Sequence, residues 1–400
     1  MFSLDPLNYH PIFPATMTGR RFEQILRCLN CADDENKEDN LYKVSSLVKS
    51  IIQSNQNMFS PPEALSLDES LLLFRGRLRF RVYIKNKKSK YGIKFYELCS
   101  NDGYVLNIEI YKGKSNREDV SGSSKRNSLV LRLLEPFLDK GHHIYMDNFY
   151  NSVQLSEILL QRKTHSTGTL RSNRKGNPKE VTGAKLKSGQ HIWRRKGNVY
   201  VSKWRDKRDI LSITTGYKPE LVETANRYGH KKTKPLMVSC YNDNMSGIDR
   251  ADQIISYHSC PRKTIRWHKK VIFHLLDIAV WNSHYLHNHN QKDNKTFKEF
   301  RNDLIKSLLG ISPDQRDGRE FVSLMKKTKS IPSKKSRENL GHVLEAIPVP
   351  ENKKGKKQIY KRCKQCYLEQ RRKDTAWQCR DCIGKPSLCV GDCFQVWHKA

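Results

Sequence analysis

Two sets of side chains in the sequence have the types and spacings that chemistry needs. One is a scatter of aspartates at the ends of strand-like runs, and the other is a C-terminal crowd of cysteines and histidines. In Leu65-Ser66-Leu67-Asp68 the leucines take one face of a strand and Ser66 and Asp68 the other, so Asp68 is expected to project away from the core. The same parity puts Tyr145 and Asp147 together in Ile144-Tyr145-Met146-Asp147. If the two strands are neighbours, their carboxylates converge at one edge of a sheet. A helix through the stretch MSGIDRADQ, residues 245–253, brings Asp249 over that edge, with Asp252 on the same helical face three residues on. Carboxylates gathered in one cleft repel one another, and a divalent cation removes the repulsion. Magnesium suits such a site, because it takes hard oxygen ligands and keeps waters for a phosphate substrate. Two such ions about 3.5 to 4 Å apart activate a nucleophile and stabilise the leaving oxygen in phosphodiester chemistry. On pattern alone, ordinary surface carboxylates remain the competing reading.

The cysteine-rich tail runs Cys363-x2-Cys366, twelve residues, Cys379-x2-Cys382, six residues, Cys389-x3-Cys393, four residues, His398. Two C-x2-C knuckles at this separation are a strong zinc signal, since each offers two thiolates to a tetrahedral ion. Seven ligands are one too many for a single zinc and one too few for two closed sites, and His342 in NLGHVLEAIP is the candidate eighth. A segment this small and polar cannot bury enough surface to fold without metal. Cys28-x-x-Cys31 has no second pair nearby and reads as core or surface.

The chain carries 74 Lys+Arg against 41 Asp+Glu, a formal net charge of +33. A fold with that much charge of one sign repels itself, so a polyanionic partner is expected, nucleic acid before an anionic membrane. The sequence has no apolar run near 18 residues and no secretory pattern at its N-terminus, so a soluble intracellular protein is expected, with no membrane partner. Hydrophobic residues at 37% suffice to fill a core in two or three domains.

The elements that must position these groups follow from periodicity. Residues 1–60 read as helical, with apolar side chains every three or four positions. Residues 61–170 read as a hairpin turning at Asn101-Asp102-Gly103, a helix closed by Gly141, the strand HHIYMDN, and a helix from Ser152 to about Arg162. Alternation in LRFRVYIKN predicts a strand with Arg75, Arg77, Arg79 and Arg81 on one face, where they could track phosphates, and Lys85, Lys87, Lys88 and Lys90 extend the basic surface. Residues 171–234 read as an inserted β-rich subdomain, and 235–310 as the second part of the core, opening with a strand PLMVSCY and holding a long helix through KVIFHLLDIAVWNSHYLHNH. A lysine-rich linker, 311–341, leads to the zinc-binding segment, 342–400. The fold class is α/β with a mixed sheet.

The segments LSLDESLLLFRGRLRFRVYIKNKKSKYGIKFYELCSNDGYV, IYMDNFYNS, GTLRSNRKG, KWRDKRDILSITT, MSGIDRADQ and CPRKTIRWHKK follow one another as in the piggyBac family of DNA transposases and their domesticated derivatives, which the chain resembles from about residue 15 to its end. The resemblance implies an RNase H-like catalytic core with an acidic triad, Asp68, Asp147 and Asp249, and a fourth nearby acid, Asp252. It implies two Mg²⁺ or Mn²⁺ ions that cut double-stranded DNA at terminal inverted repeats through a hairpin and join the 3′ hydroxyl to a TTAA target. Trp267 matches a family tryptophan near the active site, where it could stack on an unpaired base. A homodimer, nuclear localisation, and a cross-brace finger holding two zincs are implied as well. The finger's expected role is binding the terminal repeats, with Lys361, Arg362, Arg371, Arg372 and Lys373 on phosphates. The tail's spacing departs from the family form, five cysteines, a histidine and two cysteines. The helical region stands almost at Met1, so an internal start or truncated copy is implied. Two alternatives stay open: a domesticated DNA-binding or chromatin protein, and a tail acting as a protein-interaction module.

Overall fold

The ten-residue strand β1 (Ala64–Leu73) organises the larger part of the molecule. A computed structural model describes the chain apart from residues 1, 4, 6, 33–38, 86–89, 114–123, 226–228, 230, 260–263, 292–293, 312–341, 351–357 and 400. Two units are distinguished, Arg20–Pro313 and a smaller one formed by Met1–Gly19 with Asp314–Ala400. In the larger unit β1 is followed by β2 (Val82–Tyr83), β3 (Tyr91–Ser100), β4 (Val105–Ile110), β5 (His143–Met146), β6 (His165–Thr169), β7 (His191–Lys196), β8 (Val199–Arg205) and β9 (Asp209–Thr214), with a ribbon β10 (Leu221–Ala225) and β11 (Lys231–Pro235). The helices are α1 (Ile12–Thr16), in the smaller unit, then α2 (Gly19–Cys28), α3 (Ser45–Met58), α4 (Lys125–Leu134), α5 (Val153–Gln161), α6 (Lys179–Thr182), α7 (Leu236–Asn244), α8 (Gly247–His258), α9 (Trp267–Asn290) and α10 (Phe297–Leu308).

β1 pairs antiparallel with β3 and parallel with β5, β5 pairs parallel with β6, and β4 completes an antiparallel meander on β3. The meander turns at Asn101-Asp102-Gly103, where Gly103 takes φ +100°, a left-handed conformation glycine adopts without a Cβ clash. Helix starts are capped locally: Ser124 and Ser152 accept backbone N–H bonds from Asn127 and Leu155, and Thr296 forms a capping box with Glu299.

Both faces of the sheet are covered. Leu65, Leu67 and Leu98 pack with Leu129, Leu133, Leu155 and Leu159 of α4 and α5 on one side. Ile93, Phe95 and Cys99 pack with Ile248 and Ile255 of α8 and with Val271, Leu275 and Ile278 of α9 on the other. The parity expected of β1 holds, but the face of Ser66 and Asp68 is not an open one: a second core lies there, and Asp68 is half-buried. On α9, Trp281 Nε1 donates to the Gly103 carbonyl at 2.7 Å, and the Asn282 amide both accepts from and donates to the Val105 backbone, tying the helix to the hairpin turn.

Three expectations change. PLMVSCY is helical, as α7, because a short apolar run fits helix and strand equally, and here Met237 and Val238 pack beneath Trp204. Residues 74–81 lie outside any strand. Phe74 and Phe80 both turn into the core, and Arg81 Nη1 donates to the carbonyls of Arg75 and Gly76, so the chain loops and the arginines line no strand face. Strands β7 to β9 of the insertion form no sheet of their own, because β9 pairs antiparallel with β6 and extends the main sheet. Among the described residues no helix is long and apolar enough to cross a membrane.

Candidate active site and metal centres

The parallel register of β1 on β5 pairs Ser66 with Tyr145 and Leu67 with Met146, so the next position sets Asp68 beside Asp147. Gly247, the first residue of α8, packs where a Cβ would stand 3.1 Å from Ser66 Oγ and 2.5 Å from the Ser100 carbonyl. A glycine is therefore needed for α8 to approach β1, and Asp249, exposed in its first turn, follows two residues on. Asp252 is half-buried one turn further, while Arg250 is exposed.

Tyr241 of α7 feels the charges of three of the acids. Its hydroxyl is pushed up to about 12, first by burial and then by the charges of Asp147, Asp68 and Asp249, against a hydrogen bond to Thr169. Asp147 itself is raised above the ordinary carboxyl value, chiefly by burial. The Phe149 N–H donated to its Oδ1 at 2.7 Å works the other way, Glu69 adds to the rise, and Arg171 and Lys94 reduce it. Asp68 Oδ1 accepts the Glu69 N–H at 2.8 Å.

The segment IYMDNFYNS is held by its own amide. Asn151, fully buried, donates to the carbonyls of Met146, Asp147 and Thr169, at 2.8, 3.1 and 3.0 Å, stapling the ends of β5 and β6 beside the acid. A Cβ on Gly168 would stand 1.8 Å from the Met146 carbonyl and 2.4 Å from the Asn151 amide nitrogen, so only glycine fits. The segment GTLRSNRKG returns across this loop, with Arg171 donating to the Asn148 side chain at 2.9 Å and Arg174 to the carbonyls of Asn148 and Phe149.

Sequence reasoning missed Tyr241, Asn151, Arg171 and Glu97. Glu97 is buried directly across the strand pair from Asp68 and accepts a hydrogen bond from Ser70. Its place is set by the pairing register of β1 on β3, which the sequence alone does not carry.

Arg75, Arg77, Arg79 and Lys85 are exposed, and Lys88 lies outside the described residues. Trp267 is half-buried with its ring edge-on to Phe80 at 5.3 Å, so it braces the loop at residues 74–81. Arg371 and Arg372 are exposed, with Arg371 paired to Glu369.

In the smaller unit, short strands β12 (Leu344–Ala346), β13 (Lys361–Arg362), β14 (Asp374–Thr375) and β15 (Trp377–Cys379) and helices α11 (Lys364–Leu368) and α12 (Asp392–Lys399) carry the cysteines. β12 pairs with β15, and Val343 N–H donates to Asp381 at 2.7 Å, which delivers His342 to the second knuckle. Cys363, Cys366, Cys389 and Cys393 gather with their sulfurs within 4.8 Å of one another, and so do the ligand atoms of His342, Cys379, Cys382 and His398. Along the chain the two sets interleave, as in a cross-brace. His398 Nδ1 lies 2.6 Å from the Phe394 carbonyl, which can only accept, so Nδ1 carries the proton and Nε2 is left facing Cys382 at 3.2 Å. Among the described residues these two are the groups of three or more candidate ligands that close to within 4.8 Å.

A family model described as Transposase IS4 matches residues 1–284, and one described as a DDE_Tnp_1-like zinc finger matches residues 341–399. PiggyBac transposable element-derived protein 3 of Homo sapiens is 27% identical over 314 residues, covering 74% of this chain and 53% of that protein. PiggyBac transposable element-derived protein 2 of Homo sapiens is 24% identical over 299 residues, covering 70% and 50%. The chain thus spans about half the length of the curated relatives it matches. A solved structure, a piggyBac transposase synaptic complex with hairpin DNA, aligns with TM-score 0.70 at 26% identity, covering 96% of this chain and 80% of that one.

Proposed function

We propose, for a chain that belongs to the piggyBac family of transposases, a metal-dependent DNA strand-cleavage and strand-transfer activity. The observation that carries it is the parallel register of β1 and β5, whose last pair, Leu67 with Met146, comes one residue before Asp68 and Asp147, with Asp249 in the first turn of α8. The order β4-β3-β1-β5-β6, an antiparallel meander followed by two parallel strands, supports reading the core as RNase H-like. The donor set fits hard divalent ions: carboxylate oxygens from three separate elements, two half-buried and one exposed, so that water and phosphate can share the coordination. When bound, two Mg²⁺ or Mn²⁺ ions would activate the attacking oxygen and stabilise the leaving one. Asp68 and Asp147 would hold them from below, Asp249 from the helix, and Asp252 would support Asp249. Arg171 and Lys94 lower the Asp147 carboxyl by their charge, and the same two cations would favour a phosphate beside it.

In the tail, Cys363, Cys366, Cys389 and Cys393 would hold one zinc and His342, Cys379, Cys382 and His398 the other, since thiolate and imidazole donors at this spacing match tetrahedral coordination. Nuclear localisation, double-stranded DNA carrying terminal repeats and TTAA as partner, and a homodimer complete the reading. A second reading, a domesticated DNA-binding protein without turnover, draws on the human relatives, which are named as transposable element-derived.

One experiment separates them. Purified protein is incubated with Mg²⁺ and a duplex carrying candidate ends flanked by TTAA, beside Asp147→Ala. Nicking and hairpin formation that vanish in the variant support the enzyme, whereas binding without cleavage in both Mg²⁺ and Mn²⁺ sinks it in favour of the second reading.

A further inference from the structure

Residues Thr264, Ile265, Arg266, Lys269 and Lys270 border an open cleft that the proposed chemistry leaves unused. The cleft, about 1070 Å³, lies between the last turn of α2, the exit of β1 and the first turns of α9. Its cations are Arg27, Arg75, Arg266 and Lys270, with Glu23 the acid among the lining residues. Its apolar surface comes from the half-buried Leu26 and Phe273. Lys269, buried, is already spent on structure: its Nζ donates to the carbonyls of Leu26 and Arg27 at the end of α2, clamping the two helices together.

We infer that this cleft binds single-stranded DNA, with phosphates on the four cations and bases on the apolar surface. The inference rests on the DNA-acting reading above and adds to it a second contact with the strand. Charge selects a polyanion, because four cations around one acid repel one another until phosphates neutralise them. The apolar surface selects the form of that polyanion. A duplex turns only phosphates and sugars toward a cleft wall and would leave Phe273 and Leu26 unmatched, whereas unpaired bases have faces to lay on them. Leu73, at the cleft, is five residues along β1 from Asp68, or about 17 Å at the rise of a strand. That is about five nucleotide steps at 3.4 Å each, so a strand leaving the acids can reach the cleft.

The test measures binding of a fluorescent 12-nucleotide oligothymidylate and of a duplex of equal length to the full chain in magnesium-free buffer, across a salt series. Arg266→Gln/Lys270→Gln is compared with Arg195→Gln/Lys185→Gln, which removes equal charge from exposed positions elsewhere. The cleft pair is expected to weaken single-strand binding at least tenfold and to lower its salt slope by about 1.4, with duplex binding within twofold. The control pair is expected to shift both slightly and equally. Single-strand binding within twofold of wild type in the cleft variant overturns the inference, and so does parallel loss of duplex, which would make the cleft a duplex-backbone surface. A wild-type chain that binds neither DNA refutes the DNA-acting reading itself.

Discussion

The aspartates of the core and the cysteines of the tail are both candidate metal ligands, but the chain delivers them in opposite ways. Asp68, Asp147 and Asp249 ride on a strand, a strand end and a helix that are fixed by two apolar cores, so their placement does not wait for an ion. In the tail the cysteines themselves fill the centre, with Leu344, Leu388, Phe394 and Trp397 around them, and the strands are two or three residues long. The tail site closes to contact distance because coordination is the fold.

Metal removal should break this comparison most visibly. Chelation is expected to unfold residues 342–398, on the order of 10 kcal/mol of coordination-linked folding energy, while the core retains its melting transition; near-ultraviolet and far-ultraviolet circular dichroism with and without a zinc chelator would show both. A core that melts along with the tail would contradict it.

Next in size is Gly168→Ala. The added methyl has nowhere to go between the Met146 carbonyl and the Asn151 amide, and forcing it in should cost about 3 kcal/mol or more. Urea denaturation is expected to show that loss, together with loss of cleavage, because the shifted strand end is the one that carries Asp147.

pH should then act on the core through buried histidines. His143 is lowered to about 3 by burial and by His165, and His274 to about 4 by burial and by Lys270. His143 lies between Tyr145, Tyr217 and His165 with Thr167 on its Nε2, and His274 lies against Phe95. Both folded values lie below the unfolded one, so the unfolded chain takes up protons first. The stability each contributes is present above about pH 6.5 and is lost as pH falls toward the folded values. By pH 5 the loss is about 2 kcal/mol per histidine, and His274→Leu is expected to flatten about half of it in denaturation midpoints measured from pH 7.5 to 5.

The smallest effect concerns Asp147 alone. Burial holds its carboxyl above the ordinary value, so its charged form is disfavoured by the fold and its stability cost grows as pH rises through that value. Asp147→Asn keeps an oxygen for the Phe149 N–H and is expected to raise the melting temperature slightly while abolishing cleavage. A lowered melting temperature would mean the carboxylate is structural.

Much of this was legible in residue parity. Alternation in LSLD and IYMD put Ser66 with Asp68 and Tyr145 with Asp147, and the pairing of β1 with β5 joins those two strands in parallel. The reading failed where short runs fit two periods: PLMVSCY is the helix α7, and the arginines at 75–81 sit on a loop set by Phe74 and Phe80. Glu97 was hidden because cross-strand register is a tertiary fact. The sorting of eight tail ligands into two sets was equally hidden, since spacing gives pairs and only the β12–β15 pairing says which pair His342 joins.

Iron-directed backbone cleavage tests the central claim most directly. With the tail zinc-loaded, Fe²⁺ replacing Mg²⁺ in the presence of ascorbate and peroxide should cut the chain near residues 68, 147 and 249, and added Mg²⁺ should suppress all three cuts together. Cuts confined to one of these segments, or scattered over the surface without competition by Mg²⁺, would contradict a metal site assembled by the β1–β5 register.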